Sequence, residues 1–254
     1  MLGNRSLPLI LAHRGLHDIH PENTIPALDQ IGDYNIDGFE IDIQFTSDNE
    51  IIVFHDKNLK RMSKKKGQIK SISRDALKSV SLFHPRQKKT AYYHGSIPML
   101  SELINRFAEK YVINIEIKTD KPMNTRQVEV LLSFFSDRNS YDNIIFSSFE
   151  IKNLKLIKEA NPYLKTGFLI EVWDNQERVL EQHNYLDYLH PHKKLLKDSC
   201  FVEYVRERNL SLFVWTVNRW SSEIVNNLDW IRGIITDNPV GLLSDNRFIK
   251  NSVN

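Results

Sequence analysis

Tyr111-Val112-Ile113-Asn114-Ile115-Glu116-Ile117-Lys118 opens the part of the chain in which the fold is most legible. Val112 to Ile117 is a short, nearly continuous apolar run, the pattern of a strand covered on both faces. A helical pattern follows it, with apolar residues three and four apart at Val128, Leu131, Leu132 and Phe135. The alternation then continues through strand Ile144 to Ser147, a helix around Ile151, Leu154 and Ile157, and strand Thr166 to Ile170. A helix near Glu177 to Gln182, strand Leu186 to Leu189, a helix carrying Phe201, Val202 and Val205, and strand Leu210 to Thr216 come next. A helix around Ile224, Val225 and Leu228 leads to a last strand, Gly233 to Thr236. Such βα repetition argues for a parallel sheet in an α/β barrel.

Upstream, the pattern predicts strand Leu9 to His13, a helix from an Asn23 cap through Leu28 and Ile31, strand Phe39 to Ile43 and strand Ile51 to His55. Only eight residues separate Asp42 from Ile51, too few for a helical crossover, so a turn at Ser47-Asp48-Asn49 must serve instead. The count reaches nine strand candidates for the eight places of a closed barrel, so one is either misassigned or lies outside it. Residues 57–96 interrupt the alternation before a helix at Ser101 to Glu109 resumes it, and are read as an insertion over the C-terminal mouth of a single barrel domain spanning residues 1–254. The polar tail Asn246 to Asn254 is expected to fray.

A chain of 254 residues with 41% apolar content buries a sizeable core. No apolar run approaches a membrane span, and Leu7 to Ala12 is too short for a secretory leader. The single Cys200 forms no internal disulfide and is expected to be buried beside Phe201 and Val202, which suits a reducing cytoplasm. The net charge of +2 conceals an asymmetry: residues 57–89 hold twelve Lys or Arg against one acid, Asp75. That segment, with Lys64-Lys65-Lys66 and Arg86-Gln87-Lys88-Lys89, is either a solvated surface or an attractor of anionic substrates. Sparse aromatics and the lack of a helix-turn-helix or zinc-finger pattern argue against nucleic acid.

Four motifs place ionisable groups at the ends of apolar runs: His13-Arg14-Gly15, Glu40-Ile41-Asp42, His55-Asp56 and Glu116-Ile117-Lys118. Unpaired charge in such positions costs several kcal/mol, so the repetition calls for a site. Glu40 and Asp42 lie two apart on a strand and share its inner face; with Glu116 they form an all-oxygen set suited to Mg2+ or Ca2+. His13 and His55 are the candidate acid and base at neutral pH. Arg14 and Lys118 stand where an anionic group would bind, or in ion pairs with Glu40 or Glu116. Gly15 fits a tight turn. Trp215 either lines the mouth as a substrate contact or belongs to the core. His17, His20, His84, His94, His183, His190 and His192 are read as core or surface residues.

With Pro21-Glu22-Asn23-Thr24, Ile97-Pro98-Met99-Leu100, Asn114 to Lys118, Ser148-Phe149, Trp215-Thr216-Val217-Asn218 and Thr236-Asp237-Asn238-Pro239 in order, these motifs make a chain that resembles the glycerophosphodiester phosphodiesterase family of the phospholipase C-like superfamily. The resemblance spans nearly the whole chain. It implies a TIM-type (β/α)8 barrel with a small insertion after the third strand, one divalent cation on Glu40, Asp42 and Glu116, and His13 with His55 as acid–base pair. It further implies cleavage of glycerophosphodiesters, as small-molecule substrates, to sn-glycerol 3-phosphate and an alcohol. Asp48-Asn49 replaces the family's usual Asp-Gly turn, and Met62-Ser63 replaces paired threonines after Arg61. Direct attack by water and attack by the glycerol 2-hydroxyl through a cyclic phosphate both remain open, the second favoured by superfamily analogy. A lysophospholipase D or cyclising lyase, and a non-catalytic binder of phosphorylated polyols, are the alternative functions.

Overall fold

The computed structural model describes residues 7–18, 20–83, 95–135, 141–174, 176–181 and 185–245. In chain order its strands are β1 (Leu9–His13), β2 (Gly38–Phe45), β3 (Ile51–Val53), β4 (Ser81–Leu82), β5 (Gly95–Ser96), β6 (Val112–Ile117), β7 (Ile144–Ser148), β8 (Lys165–Ile170), β9 (Tyr188–Pro191), β10 (Leu212–Val214) and β11 (Ile231–Thr236). Eight of them run β1-β11-β10-β9-β8-β7-β6-β2, and β2 pairs back with β1 to close the ring. Every pairing in the ring is parallel. This is the TIM-type barrel that βα repetition demands.

The ninth candidate strand is β3, which lies outside the ring and runs antiparallel to β2, Val53 opposite Ile43 and Ile51 opposite Phe45. The connection is a tight reversal in which the Asn49 amide reaches the Thr46 carbonyl at 3.0 Å and Asn49 takes a left-handed φ of 59°. Because β3 folds back along β2, the chain returns to the level of Asp42, where the Phe54 amide donates to the Asp42 carbonyl at 2.8 Å. His55 is thereby delivered to the mouth without a crossover helix.

Alternation on β2 separates core from site. Phe39, Ile41, Ile43 and Phe45 pack with Leu28, Leu103 and Phe107 of the covering helices Ile25–Asp29 and Leu100–Phe107; the intervening Glu40, Asp42 and Gln44 occupy the opposite, inner face. Below them Leu9, Leu11, Val112, Ile145, Phe213 and Ile235 fill the barrel interior. On the far side, Phe168, Ile170, Leu189, Leu212 and Val214 pack against Phe201, Tyr204 and Val205 of helix Ser199–Glu207. The part of residues 57–96 that is described has its own apolar cluster, in which Leu59, Met62, Ile69, Leu77 and Leu82 pack on Ile52 and Phe54.

Two expectations fail locally. Cys200 is exposed, because helix Ser199–Glu207 buries Phe201, Tyr204 and Val205 and turns its first residues outward. Thr24, not Asn23, is the N-cap of helix Ile25–Asp29, since the Asn23 side chain is drawn to Asp42 instead. Arg86 to Lys89, His84, His94, His183 and the tail Asn246 to Asn254 lie outside the described residues. Among those described, no helix is long and apolar enough to cross a membrane.

Candidate active site

Strand register assembles the acidic cluster. His13 on β1 sits opposite Glu40 on β2, and Asp42, two residues further up, sits opposite Glu116 on β6. Carboxylate oxygens of Glu40, Asp42 and Glu116 all come within 4.8 Å of one another, although Glu40 is only 2% exposed and Asp42 0%. Burial, then the neighbouring Asp42 and Glu116, push the Glu40 carboxyl well above its ordinary range. Burial and Asp42 likewise raise Glu116, against the opposing pull of Lys118. For Asp42 burial acts upward too, but Arg14, Lys118, His55 and the Asn23 amide together hold it below the usual carboxylate range. Neither Glu40 oxygen has a hydrogen-bond donor. Three converging carboxylates, one of them buried without a donor, form an all-oxygen set that fits a hard divalent cation.

The cations are braced rather than loose. Lys118 Nζ lies 2.7 Å from Glu116 Oε1 and 3.4 Å from Asp42 Oδ1. Arg14, held at a φ of 58°, donates from Nη1 to Glu22 Oε1 at 2.8 Å and brings Nε within 3.1 Å of Asp42 Oδ2. The turn above it depends on Gly15, whose φ is +83° and where a Cβ would lie 2.8 Å from the Ala27 carbonyl oxygen. Glu22 also receives Arg61 from Nη1 and Nη2, at 2.8 and 2.6 Å. Asn23 Nδ2 donates to Asp42 Oδ2 at 2.8 Å while its Oδ1 accepts from the Asp42 amide at 3.2 Å. The segment Glu22-Asn23 thus serves the site directly.

Each of the two histidines has a carboxylate on the same ring nitrogen. His13 Nδ1 lies 2.6 Å from Asp237 Oδ1, just past the end of β11, and His55 Nδ1 lies 2.8 Å from Asp56 Oδ1. An ionised carboxylate only accepts, so Nδ1 carries the proton in both rings and Nε2 is left for chemistry. His13 Nε2 points toward the carboxylates, 3.7 Å from Glu40 Oε2. Asp237 is held in turn by Asn218 Nδ2 at 2.9 Å, and His17 Nε2 approaches its Oδ1 at 3.3 Å. Burial would raise the Asp237 carboxyl, yet the hydrogen bonds from His13 and His17 keep it below the ordinary range. Asp56 accepts from Arg61 Nε at 2.6 Å, and Gln44 Nε2 donates to the Phe54 and Asp56 carbonyls at 2.7 and 2.9 Å, pinning the loop that carries His55.

All seven residues His13, Arg14, Glu40, Asp42, His55, Glu116 and Lys118 therefore meet at one end of the barrel. Trp215 stands apart from them in chemistry: its indole N–H is donated to the His190 carbonyl at 2.7 Å, and its ring meets Phe149 edge-on, centroids 5.7 Å apart. Glu22, Arg61, Asp56 and Asp237 are participants to which the sequence pattern assigns no role, while Asn23 is expected as a helix cap and His17 as a core or surface residue. Asp56 alone carries a local signal, its place directly after His55.

The sequence profile of the glycerophosphoryl diester phosphodiesterase family matches residues 13–240. A glycerophosphodiester phosphodiesterase of Caldanaerobacter subterraneus subsp. tengcongensis is 30% identical over 93% of this chain and 96% of its own length. The crystal structure of a glycerophosphodiester phosphodiesterase from Thermotoga maritima superposes with a TM-score of 0.71 at 26% identity, covering 93% of this chain and 97% of that one. An Oleispira antarctica phosphodiesterase, solved in complex with its product sn-glycerol-3-phosphate, shares the fold at 22% identity with a TM-score of 0.80, covering 96% of this chain and 97% of that one.

Proposed function

The chain belongs to the glycerophosphoryl diester phosphodiesterase family, and on that premise we propose that it hydrolyses glycerophosphodiesters to sn-glycerol 3-phosphate and an alcohol, using His13 and His55 as an acid–base pair around a divalent cation. The observation that carries this reading is the arrangement of two Nδ1-anchored imidazoles about one buried carboxylate triad. Glu40, Asp42 and Glu116 would hold the cation, Mg2+ or Ca2+ by the hardness of the donors. Bound there, it supplies neutralisation of the charge that develops on a non-bridging phosphate oxygen.

The protein's own groups account for the remaining steps. Arg14 and Lys118 add positive charge to the phosphate side, and their ion pairs with Asp42, Glu22 and Glu116 keep them in place before substrate arrives. One Nε2 accepts the proton of the attacking water or glycerol 2-hydroxyl, while the other imidazole, protonated, delivers its proton to the leaving alkoxide; where the 2-hydroxyl attacks, water then opens the cyclic phosphate to sn-glycerol 3-phosphate. Asp237 and Asp56 hold the two rings in the tautomer that leaves Nε2 free and stabilise each ring when it is charged. The O. antarctica relative was solved with sn-glycerol-3-phosphate, the product assigned to this reaction. We further propose one barrel domain with residues 57–96 as an insertion over its mouth, working on small molecules in the cytoplasm.

Release of sn-glycerol 3-phosphate, read with a coupled dehydrogenase, tests the reading. Activity is expected to vanish in excess chelator and to return with Mg2+ or Ca2+, and His13→Ala or His55→Ala is expected to lower turnover at least ~100-fold. Full activity in chelator would remove the cation, and wild-type turnover in either variant would remove that histidine.

A further inference from the structure

Beside the carboxylate triad, on the His55 side, lies an open cavity of about 650 Å3 whose lining includes His55, Asp56, Lys57, Lys60, Arg61 and Lys118. Four cations face it and one acid. That acid is already engaged, since Asp56 accepts from Arg61 at 2.6 Å and meets His55 Nδ1 at 2.8 Å. Arg61 is engaged as well, by Asp56 and Glu22. Lys57 shares a single carboxylate, Asp120, with Lys70, at 2.5 and 2.8 Å, so that group of three keeps one positive charge. Lys60 is exposed, and among the described residues its side chain has no ion-pair or hydrogen-bond partner. Lys118 is engaged too, by Glu116 and Asp42, so the unbalanced positive charge on this wall is that of Lys60 and of the group formed by Lys57, Lys70 and Asp120.

It is also built. The Leu59 amide donates to the Gly67 carbonyl at 3.1 Å and the Ile69 amide to the Lys57 carbonyl at 3.0 Å. Leu59 and Met62, which flank Lys60 and Arg61, are each 2% exposed in the apolar cluster beneath. The backbone that carries these lysines is thereby fixed beside the cavity.

A glycerophosphodiester carries two alcohols on one phosphate, and with the phosphate at Arg14 and Lys118 an alcohol directed past His55 enters this cavity. A quaternary or primary ammonium there would meet uncompensated like charge, with no free carboxylate and no aromatic ring other than His55 lining the cavity to receive it. A neutral polyol is tolerated; an anion is favoured. We propose that this cavity is the alcohol subsite of the enzyme and that it selects glycerophosphodiesters whose alcohol bears a second anionic group, a phosphomonoester or carboxylate, over those with cationic head groups. The proposal rests on the hydrolytic reading above.

The test compares kcat/KM on three diesters that differ only in the alcohol: glycerophosphocholine, glycerophosphoglycerol and glycerophosphoglycerol phosphate. The expected order is anionic, then neutral, then cationic, with at least ~10-fold between the ends at low ionic strength and a narrowing gap as salt screens the wall. Lys60→Glu, which reverses one exposed charge, is expected to reduce the anionic-to-neutral ratio roughly 10-fold, and Lys60→Gln to reduce it by less. Equal or faster turnover of the choline diester, or a ratio unchanged in both variants, overturns the subsite assignment while leaving hydrolysis intact. No turnover of any diester with Mg2+ or Ca2+ present overturns the hydrolytic reading itself, and the subsite with it.

Discussion

Replacing Asp237 with Asn probes the site through a single proton. Asp237 Oδ1 lies 2.6 Å from His13 Nδ1, and its Oδ2 accepts from Asn218 Nδ2 at 2.9 Å. The Asn218 amide cannot turn over freely, because its Oδ1 accepts from the Asp237 backbone amide at 2.9 Å and from the Thr236 hydroxyl at 3.3 Å. An asparagine at 237 that gives its carbonyl to Asn218 turns its NH2 toward His13 and toward His17, whose Nε2 lies 3.3 Å from the same Oδ1 position. Facing a donor, His13 Nδ1 becomes an acceptor and the ring proton moves to Nε2. The ring then has no free Nε2 lone pair to act as base, and without the carboxylate it no longer holds the imidazolium needed to act as acid. Turnover is expected to fall by roughly 10²–10⁴-fold, about 3–5 kcal/mol of barrier, with KM little changed. Steady-state release of sn-glycerol 3-phosphate gives the rate, nitrogen-15 NMR of the imidazole gives the tautomer, and thermal unfolding confirms an intact fold. Turnover within threefold of wild type, or an unmoved tautomer, would refute the reasoning.

Two further predictions concern the scaffold. His190 is fully buried, neither ring nitrogen has a hydrogen-bond partner, and burial lowers its pKa from 6.5 to about 3. The unfolded chain takes up this proton near pH 6.5 and the folded one does not until about pH 3, so the stability present above pH 6.5 is lost as pH falls through that window. Denaturant melts at pH 7 and pH 4 are expected to show His190→Leu losing about 3 kcal/mol less than wild type; identical losses would contradict a buried neutral imidazole. Phe39, 0% exposed and edge-on to Phe107 at 5.5 Å, is expected to cost ~3–5 kcal/mol when replaced by Ala. A change under 1 kcal/mol by urea titration would mean that the outer core collapses around the gap.

What the amino-acid sequence alone determined is the periodicity and what it carries. The apolar runs at Val112–Ile117 and Phe39–Ile43 mark strands because backbone dihedrals and side-chain alternation are local properties. The same alternation places Glu40 and Asp42 together on the face opposite Phe39, Ile41 and Ile43, so the acidic cluster, with His13, Arg14 and Lys118 at strand ends, is legible in the sequence. Tertiary structure alone decided which groups brace them. Asp237 reaches His13 across 224 residues of sequence, Asn23 leaves its cap position for Asp42, Glu22 joins Arg14 to Arg61, and β3 folds outside the ring. Cys200 faces solvent beside a buried Phe201 because one apolar neighbourhood in sequence spans two faces of a helix. Hydrogen-bond partners of this kind depend on how the barrel closes and on the path of each loop above it, and neither is encoded in a period of 2 or 3.6 residues.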